Sequence, residues 1–174
     1  GLPLGKFGMS FGLMPYSAVG YKNESSEVVS GETRDYTDQG NGYINKVFVG
    51  GSYAFNSNLS FGLDFSYHFG DFTNDFTETV TSPDYTQYIS RERNLTKMNG
   101  VSLNFGLLYN RNINSKLTFH SSIKYSPESK LSSENSRNIA TVFYTSNGAE
   151  FANDSEDIDV PNKDLVIPSR LSLG

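Results

Sequence analysis

The chain has 174 residues, no cysteine and a formal net charge of −5, and 14 % of its residues are aromatic. The length suits a single domain, and the absence of any run of 18 apolar residues excludes a transmembrane helix. The negative charge argues against nucleic acid as a partner, because phosphate binding requires a basic surface. Without cysteine, neither a disulfide framework nor a thiolate metal site can form.

Large apolar side chains alternate with small or polar ones along much of the chain. This period of two predicts β-strands, because successive side chains of a strand point to opposite faces. The clearest example is Leu59–Phe69, with leucine and aromatic side chains at odd positions and serine, glycine, aspartate or histidine at even positions. In chain order, the predicted strands are residues 6–13, 43–55, 59–69, 101–109, 117–125 and 165–173, with one more expected at 138–145.

The connections between these strands alternate between short and long. Short turns are predicted at 56–58 and 112–115, and long extracellular loops near 23–41, 70–97 and 126–164. The second loop contains an alternating stretch (Phe72, Asn74, Phe76, Glu78 and Val80) and the turn signal Ser82-Pro83-Asp84, which together could form a hairpin that projects beyond the membrane. Outer-membrane barrels have short periplasmic turns and long extracellular loops, whereas soluble sandwiches and lipocalin-like barrels have more even ones. The pattern therefore predicts an all-β fold over residues 1–174, an antiparallel transmembrane β-barrel of the outer-membrane type.

The number of strands bears on whether such a barrel is complete. Six clear strands and one or two less regular ones could close an eight-stranded barrel, the smallest kind. However, the sequence begins inside a strand-like run, carries no signal peptide and ends at Leu173 and Gly174 without a terminal aromatic residue. We therefore expect a partial set of strands from a larger barrel of about twelve to sixteen strands.

The two faces of the predicted strands differ in chemistry. The residues expected to face lipid are Phe7, Phe11, Val47, Val49, Phe61, Leu63, Phe65, Leu103, Phe105, Leu117 and Phe119. The candidates for lining a lumen are Lys46, Asp64, His68, Asn104, Lys116, His120 and Lys124. Polar residues inside a barrel can tune permeation, but they more often form hydrogen-bonded networks within the wall. The sequence leaves both roles open.

Patterns for catalysis and metal binding are sparse. A hydrolase needs a serine, a histidine and an orienting residue in contact, but the chain has two histidines and no Gly-x-Ser-x-Gly motif. We therefore expect that the protein is not an enzyme. The acidic run of Asp154, Glu156, Asp157 and Asp159 could offer oxygen ligands to Ca²⁺. Because it lacks EF-hand spacing, and because charge runs usually form solvated loops, we expect neither a metal nor a cofactor.

Two segments carry a family resemblance. Phe11–Tyr21 (FGLMPYSAVGY) and Ile167–Gly174 (IPSRLSLG) resemble strand motifs of the FadL-type family, the outer-membrane channels for fatty acids and aromatic hydrocarbons in Gram-negative bacteria. The resemblance implies a fourteen-stranded barrel with an N-terminal plug, which moves hydrophobic ligands towards an opening in its wall. No segment of this sequence matches the plug, so the ligand-gating residues of the family cannot be assigned here.

These observations lead to three functional hypotheses, all placing the chain in the bacterial outer membrane. The leading one is a channel or transporter for hydrophobic small molecules such as fatty acids, in contact with membrane lipid. The alternative is a barrel that does not transport, and instead acts as a scaffold or surface-exposed binding component of a secretion or adhesion assembly with other outer-membrane proteins. The third is an outer-membrane hydrolase.

Overall fold

The computed structural model describes residues 1–82, 85–145 and 147–174. All regular structure in the described part of the chain is β-strand. The strands are β1 (Leu2–Leu4), β2 (Phe7–Val29), β3 (Glu32–Ala54), β4 (Leu59–Ser82), β5 (Tyr85–Asn114), β6 (Leu117–Ser126), β7 (Ser129–Tyr144), β8 (Glu150–Ile158), β9 (Leu165–Ile167) and β10 (Arg170–Leu173). The prediction of an all-β fold is thus confirmed.

The strands form one antiparallel sheet in which neighbours along the chain are mostly neighbours in space. The order is β1-β2-β3-β4-β5-β6-β10, and β7 pairs with the other half of β5 as well as with β8 and β9. β1 does not pair with β8 or β10, so the described strands form an open sheet. Closure into a barrel, which the sequence pattern predicted, is therefore not seen in the described residues.

Two prolines divide strand lines that would otherwise be continuous. β5 pairs with β6 from Phe105 to Asn114 and with β7 from Ile89 to Gly100. Pro127 lies in the break between β6 and β7, and Pro168 lies in the matching break between β9 and β10. Proline cannot donate a backbone hydrogen bond to a ladder. The strand predicted over 165–173 is consequently split in two.

The short turns lie close to their predicted positions, but the turn predicted at 112–115 is shorter, because β5 continues through Asn114. Between β3 and β4, the Asn56 side-chain oxygen accepts hydrogen bonds from the backbone N–H groups of Asn58 (2.8 Å) and Leu59 (2.9 Å). Asparagine favours such turns because its side chain can mimic a backbone acceptor. The connection between β5 and β6 consists of residues 115 and 116.

The segments predicted to be irregular loops are mostly paired strands, which corrects that expectation. Residues 23–41 continue β2 and β3 as a hairpin that closes at Ser30 and Gly31, both with positive φ (52° and 86°). The described parts of 70–97 continue β4 and β5, and much of 126–164 belongs to β7 and β8. Within 70–97, Phe72, Phe76 and Val80 recur on one side of β4 and mark the strand in the sequence, whereas 23–41 has no regular apolar alternation. Pro83 and Asp84, in the predicted turn at 82–84, lie outside the described residues.

Apolar burial is limited in the described part of the chain. The buried hydrophobic side chains are Ile44, Ile89, Leu131, Ala140 and Val142, and three of them form a small cluster where β5 meets β7. Most large apolar side chains are instead exposed on one face of the sheet, as for Phe11, which is 74 % exposed. Among the described residues, no helix has the length and hydropathy that crossing a membrane would require.

Candidate functional site

The strand register gathers the apolar side chains onto one face of the sheet. Residues directly opposite each other in an antiparallel ladder share a face, and Phe65 lies opposite both Val49 and Leu103. Three further rows cross the sheet in the same way. The apolar rows are Phe7–Tyr53–Phe61–Leu107–Ile123–Leu173, Met9–Gly51–Leu63–Phe105–Tyr125–Leu171, Phe11–Val49–Phe65–Leu103 and Leu13–Val47–Tyr67–Val101.

All residues predicted to face lipid lie on this one face, which we call the apolar face. Leu117 and Phe119 extend it at the end of the sheet that carries the short turns, since they share the strand parity of Ile123. The contact of the apolar face with lipid stays a prediction. The register shows only that a continuous, exposed apolar surface spans six neighbouring strands, from β2 through β6 to β10.

The apolar face ends at one level on β4 and β5. On β4 the odd-numbered residues lie on the apolar face and are apolar up to Phe69. The next residues on the same face are Asp71, Thr73 and Asp75. On β5, Lys97 lies opposite Asp71 and Arg93 lies opposite Asp75. The same face of the same sheet thus changes from apolar to charged at one level, beyond which the strands continue as polar hairpins.

The opposite face carries a hydrogen-bonded cluster that joins β3, β4, β5 and β6. Asp64 accepts hydrogen bonds from Ser66 (2.7 Å) and Asn104 (2.8 Å), and its carboxylate lies 3.5 Å from the ammonium group of Lys46. Asn104 in turn accepts a hydrogen bond from the Ser126 hydroxyl (2.6 Å). We call these five residues the polar network.

His68 lies next to the polar network and is almost completely buried, with 2 % of its surface exposed. Its Nε2 atom is 2.9 Å from the Ser102 hydroxyl, and the Tyr16 ring meets the imidazole edge-on with centroids 4.6 Å apart. Tyr16 is the extra residue of a bulge between Pro15 and Ser17, where the register with β3 shifts. The bulge therefore supplies the aromatic contact to His68.

The structure brings four of the seven predicted lumen residues together: Lys46, Asp64, His68 and Asn104. The other three lie on β6 or beside it, outside this cluster. Lys124 borders a broad, open groove on the same face, His120 contacts the Asn110 side chain (2.7 Å), and Lys116 is in the turn before β6. Whether any of these residues lines a lumen stays a prediction.

Sequence reasoning missed several members of this region. Tyr16, Ser66, Ser102 and Ser126 were not singled out, although the strand alternation already placed Ser66 and Ser102 on the polar side. Tyr16 reaches this region through a bulge, and Ser126 reaches it at a strand break. Periodicity in the sequence locates neither the bulge nor the break. Phe48, an exception to the alternation, does lie on the polar face, with the Lys46 ammonium group 5.4 Å from its ring centroid.

Ion pairs connect the polar hairpins beyond the apolar face. Arg93 binds Asp75 (2.6 Å), Arg137 binds Glu92 (2.6 Å), Arg34 binds Glu78 (3.2 Å) and Arg91 binds Glu150. Hydrogen bonds from Asn94 and Arg137 lower the pKa of Glu92. The hydrogen bond that the Tyr36 hydroxyl donates to Glu27 (2.8 Å) raises the pKa of Tyr36. These pairs link β3 to β4, β4 to β5, and β5 to β7 and the start of β8.

The acidic run lies mostly in a strand, which directs its carboxylates to both faces. Asp154, Glu156 and Asp157 lie in the extended strand β8, where the Asn138 amide donates hydrogen bonds to Ser155 (2.9 Å) and Asp157 (2.7 Å). Adjacent residues of a strand point to opposite faces, so Glu156 and Asp157 are directed apart. No cluster of three potential metal ligands occurs in the part of the chain that the structure describes.

Comparison with known families decides the affiliation of the chain. A sequence model of the family described as BamG matches residues 1–174, the whole sequence. The chain belongs to the BamG family. This result overturns the resemblance to FadL-type transporters, which rested on two short strand motifs. BamG is a family related to the Bam complex, and membership associates the chain with the Gram-negative outer membrane and its assembly proteins. No curated protein and no solved structure matches the chain.

The polar network of this BamG-family chain makes a prediction about stability. Asp64→Ala leaves donors from Ser66, Asn104 and Lys46 without their acceptor, so we expect it to lower the free energy of unfolding by about 1–3 kcal/mol. The measurement is urea unfolding of the folded protein in lipid vesicles. Asp71→Ala is the matched control, because Asp71 lies on the same strand and its side chain makes no hydrogen bond within the described residues. Equal losses from both variants would contradict the role of the network.

The Arg137–Glu92 pair makes a prediction about pH. The lowered pKa of Glu92 means that its stabilising contribution is complete above the ordinary glutamate pKa and is lost as the pH falls through the lowered value. Arg137→Gln should raise this pKa towards the ordinary value, with the Asn94 hydrogen bond retained. An NMR titration of the Glu92 carboxyl carbon measures the change. Lys97→Gln, which also removes one positive charge from the hairpins, should leave the titration midpoint nearly unchanged.

Proposed function

We propose that this chain forms part of the wall of an outer-membrane β-barrel that takes part in outer-membrane protein assembly, with its long hairpins outside the membrane. The observation that carries the proposal is the change of the apolar face into a charged one at Phe69 and Asp71. A sheet that is apolar over one band and polar beyond it matches a wall that passes from lipid into water.

The height of the apolar band supports a membrane location. On β4 it covers Leu59–Phe69, and eleven residues at about 3.3 Å each give roughly 35 Å of strand. A strand tilted by about 45° then spans roughly 25 Å, the height of the apolar band of outer-membrane barrels. The complete β4 and β5 contain 24 and 30 residues, so more than half of each extends beyond the band.

A soluble sheet would have to cover the apolar face with a second layer of structure. Soluble proteins rarely expose contiguous apolar patches beyond a few hundred Å², and the described residues form a single sheet with few buried apolar side chains. Lipid is the covering that requires no additional layer. This argument supports membrane insertion and does not depend on family membership.

Family membership supports an assembly role over transport. The relation of BamG to the Bam complex favours the interpretation of the chain as a scaffold or binding component with other outer-membrane proteins as partners. The hairpins offer contact surfaces for them, including exposed Val28 and Val29 near one tip and the stacked rings of Phe143 and Phe151 (5.7 Å) near another. The face opposite the apolar face is polar and hydrogen-bonded, so it would be a poor lining for a channel that carries hydrophobic ligands.

We also propose that the chain has no hydrolase activity. Among the described residues, His68 forms a hydrogen bond with the hydroxyl group of Ser102. A catalytic triad also needs an acidic residue that orients the histidine. His68 lacks one, because its Nδ1 atom has no hydrogen-bond partner. His120 is exposed and contacts Asn110. Neither histidine is therefore arranged as a general base.

The membrane proposal predicts a difference between the two faces. Phe65→Arg places a charge in the middle of the apolar band and should cost about 2–4 kcal/mol of folding free energy in lipid. Ser60→Arg is the control, because Ser60 borders the broad, open groove on the opposite face, where water can reach the charge. Ser66 would be unsuitable, since it is fully buried. Urea unfolding in vesicles measures both, and equal destabilisation would count against lipid on the apolar face.

The assembly role predicts a cellular effect. Depleting the protein should reduce the folded, heat-modifiable fraction of other outer-membrane barrels, with periplasmic proteins unchanged. A shortened variant, in which a two-residue Asn-Gly turn replaces residues 23–38, keeps the pairing of Lys22 with Gln39 and should insert normally. When this variant replaces the depleted protein, we expect the variant itself to insert into the membrane. The folded fraction of the other outer-membrane barrels should nevertheless stay reduced. Unchanged levels of folded barrels after depletion would overturn the assembly role and leave the membrane location intact.

A further inference from the structure

The two proline breaks lie side by side and open a cavity in the sheet. The ladder between β5 and β6 begins at Phe105, and the ladder between β5 and β7 ends at Gly100, so residues 101–104 have no ladder partner on that side. The neighbouring strand line is interrupted at Pro168. Between the two interruptions is a cavity of about 130 Å³, bordered on the polar side by His68, Ser102 and Lys46.

Two polar atoms of residues that line this cavity are buried without a hydrogen-bond partner. They are Nδ1 of His68 and the hydroxyl oxygen of Ser129. Buried polar atoms nearly always have partners in folded proteins. Two such atoms at one cavity therefore indicate that a bound molecule or ion completes their hydrogen bonds.

The charges around the cavity favour an anion. Lys46 and Arg170 contribute positive charges to its lining, and no carboxylate lines it. Lys46 is partly neutralised by Asp64 at 3.5 Å, whereas Arg170 has no acidic partner among the described residues. Guanidinium groups bind planar or tetrahedral oxyanions through paired hydrogen bonds. If the Ser102 hydroxyl donates to Nε2 of His68, the proton on Nδ1 is also available for an anionic oxygen.

We propose that this cavity binds a small free oxyanion, a carboxylate or phosphate group, held by Arg170, Lys46, His68 and Ser129. A cavity of about 130 Å³ suits a small polyatomic anion. The proposal goes beyond the assembly role and does not depend on it, since it rests on the cavity, its charges and its two unpartnered atoms.

The two histidines of the chain provide the test. Protein labelled with ¹⁵N-histidine, folded in detergent micelles at fixed pH, is titrated with sodium phosphate and, separately, with sodium acetate, each matched in ionic strength by sodium chloride. We expect saturable shifts of the His68 signals with at least one of the two oxyanions and not with chloride. His120 is exposed and remote from the cavity lining, so its signals should not follow the same curve.

Variants separate binding from general charge effects. Arg170→Gln should weaken binding about tenfold, the equivalent of one charge-assisted hydrogen bond, and Arg170→Lys should retain part of it. Lys124→Gln removes a positive charge from the same face outside the cavity and should leave binding unchanged. Heat-modifiable migration checks that each variant is folded. Shifts of His68 that chloride reproduces, shifts equal at His120, or equal weakening by Arg170→Gln and Lys124→Gln would overturn the proposal.

Discussion

The register between neighbouring strands is the constraint on which the rest of this structure depends. Side chains alternate with a period of two, so a slip of one residue would move every apolar side chain to the opposite face. The ladder between β3 and β4 runs without a shift from Thr33 opposite Thr81 to Ala54 opposite Ser60. Because the register is kept, apolar side chains from six strands meet on one face, and Lys46, Asp64 and Asn104 meet on the other.

The two faces restrict the register for different reasons. Hydrophobic burial is non-directional, so the apolar face would tolerate some rearrangement of its side chains. The polar network requires specific donors opposite specific acceptors, because a half-buried carboxylate such as Asp64 is stable only with its hydrogen bonds formed. A slip of β4 against its neighbours would separate Asp64 from Asn104 and Lys46 on the polar face and would also move polar side chains onto the apolar face. Both faces thus select the same pairing.

Prolines shape the sheet at the level where the apolar face ends. Pro15 precedes the bulge that places Tyr16 against His68, while Pro127 and Pro168 lie in the breaks that border the cavity. Interrupting a ladder leaves backbone N–H and C=O groups without strand partners. The interruption is tolerated where solvent or a molecule in a cavity can form hydrogen bonds with these groups. The residues that break the strands therefore also create the one buried polar space that we associate with a ligand.

The sequence by itself determined the β-class, the approximate positions of the short turns and the face on which a residue of an alternating strand lies, because these follow from local periodicity and turn chemistry. It also placed Lys46, Asp64, His68 and Asn104 on one face. Tertiary structure decided which of them meet, since contacts across strands depend on register and register depends on pairing partners. It also showed that most of the predicted loops are long hairpins, of which the one formed by residues 23–41 carries no periodic apolar signal, and it located the cavity, which arises only where Pro127 and Pro168 become neighbours.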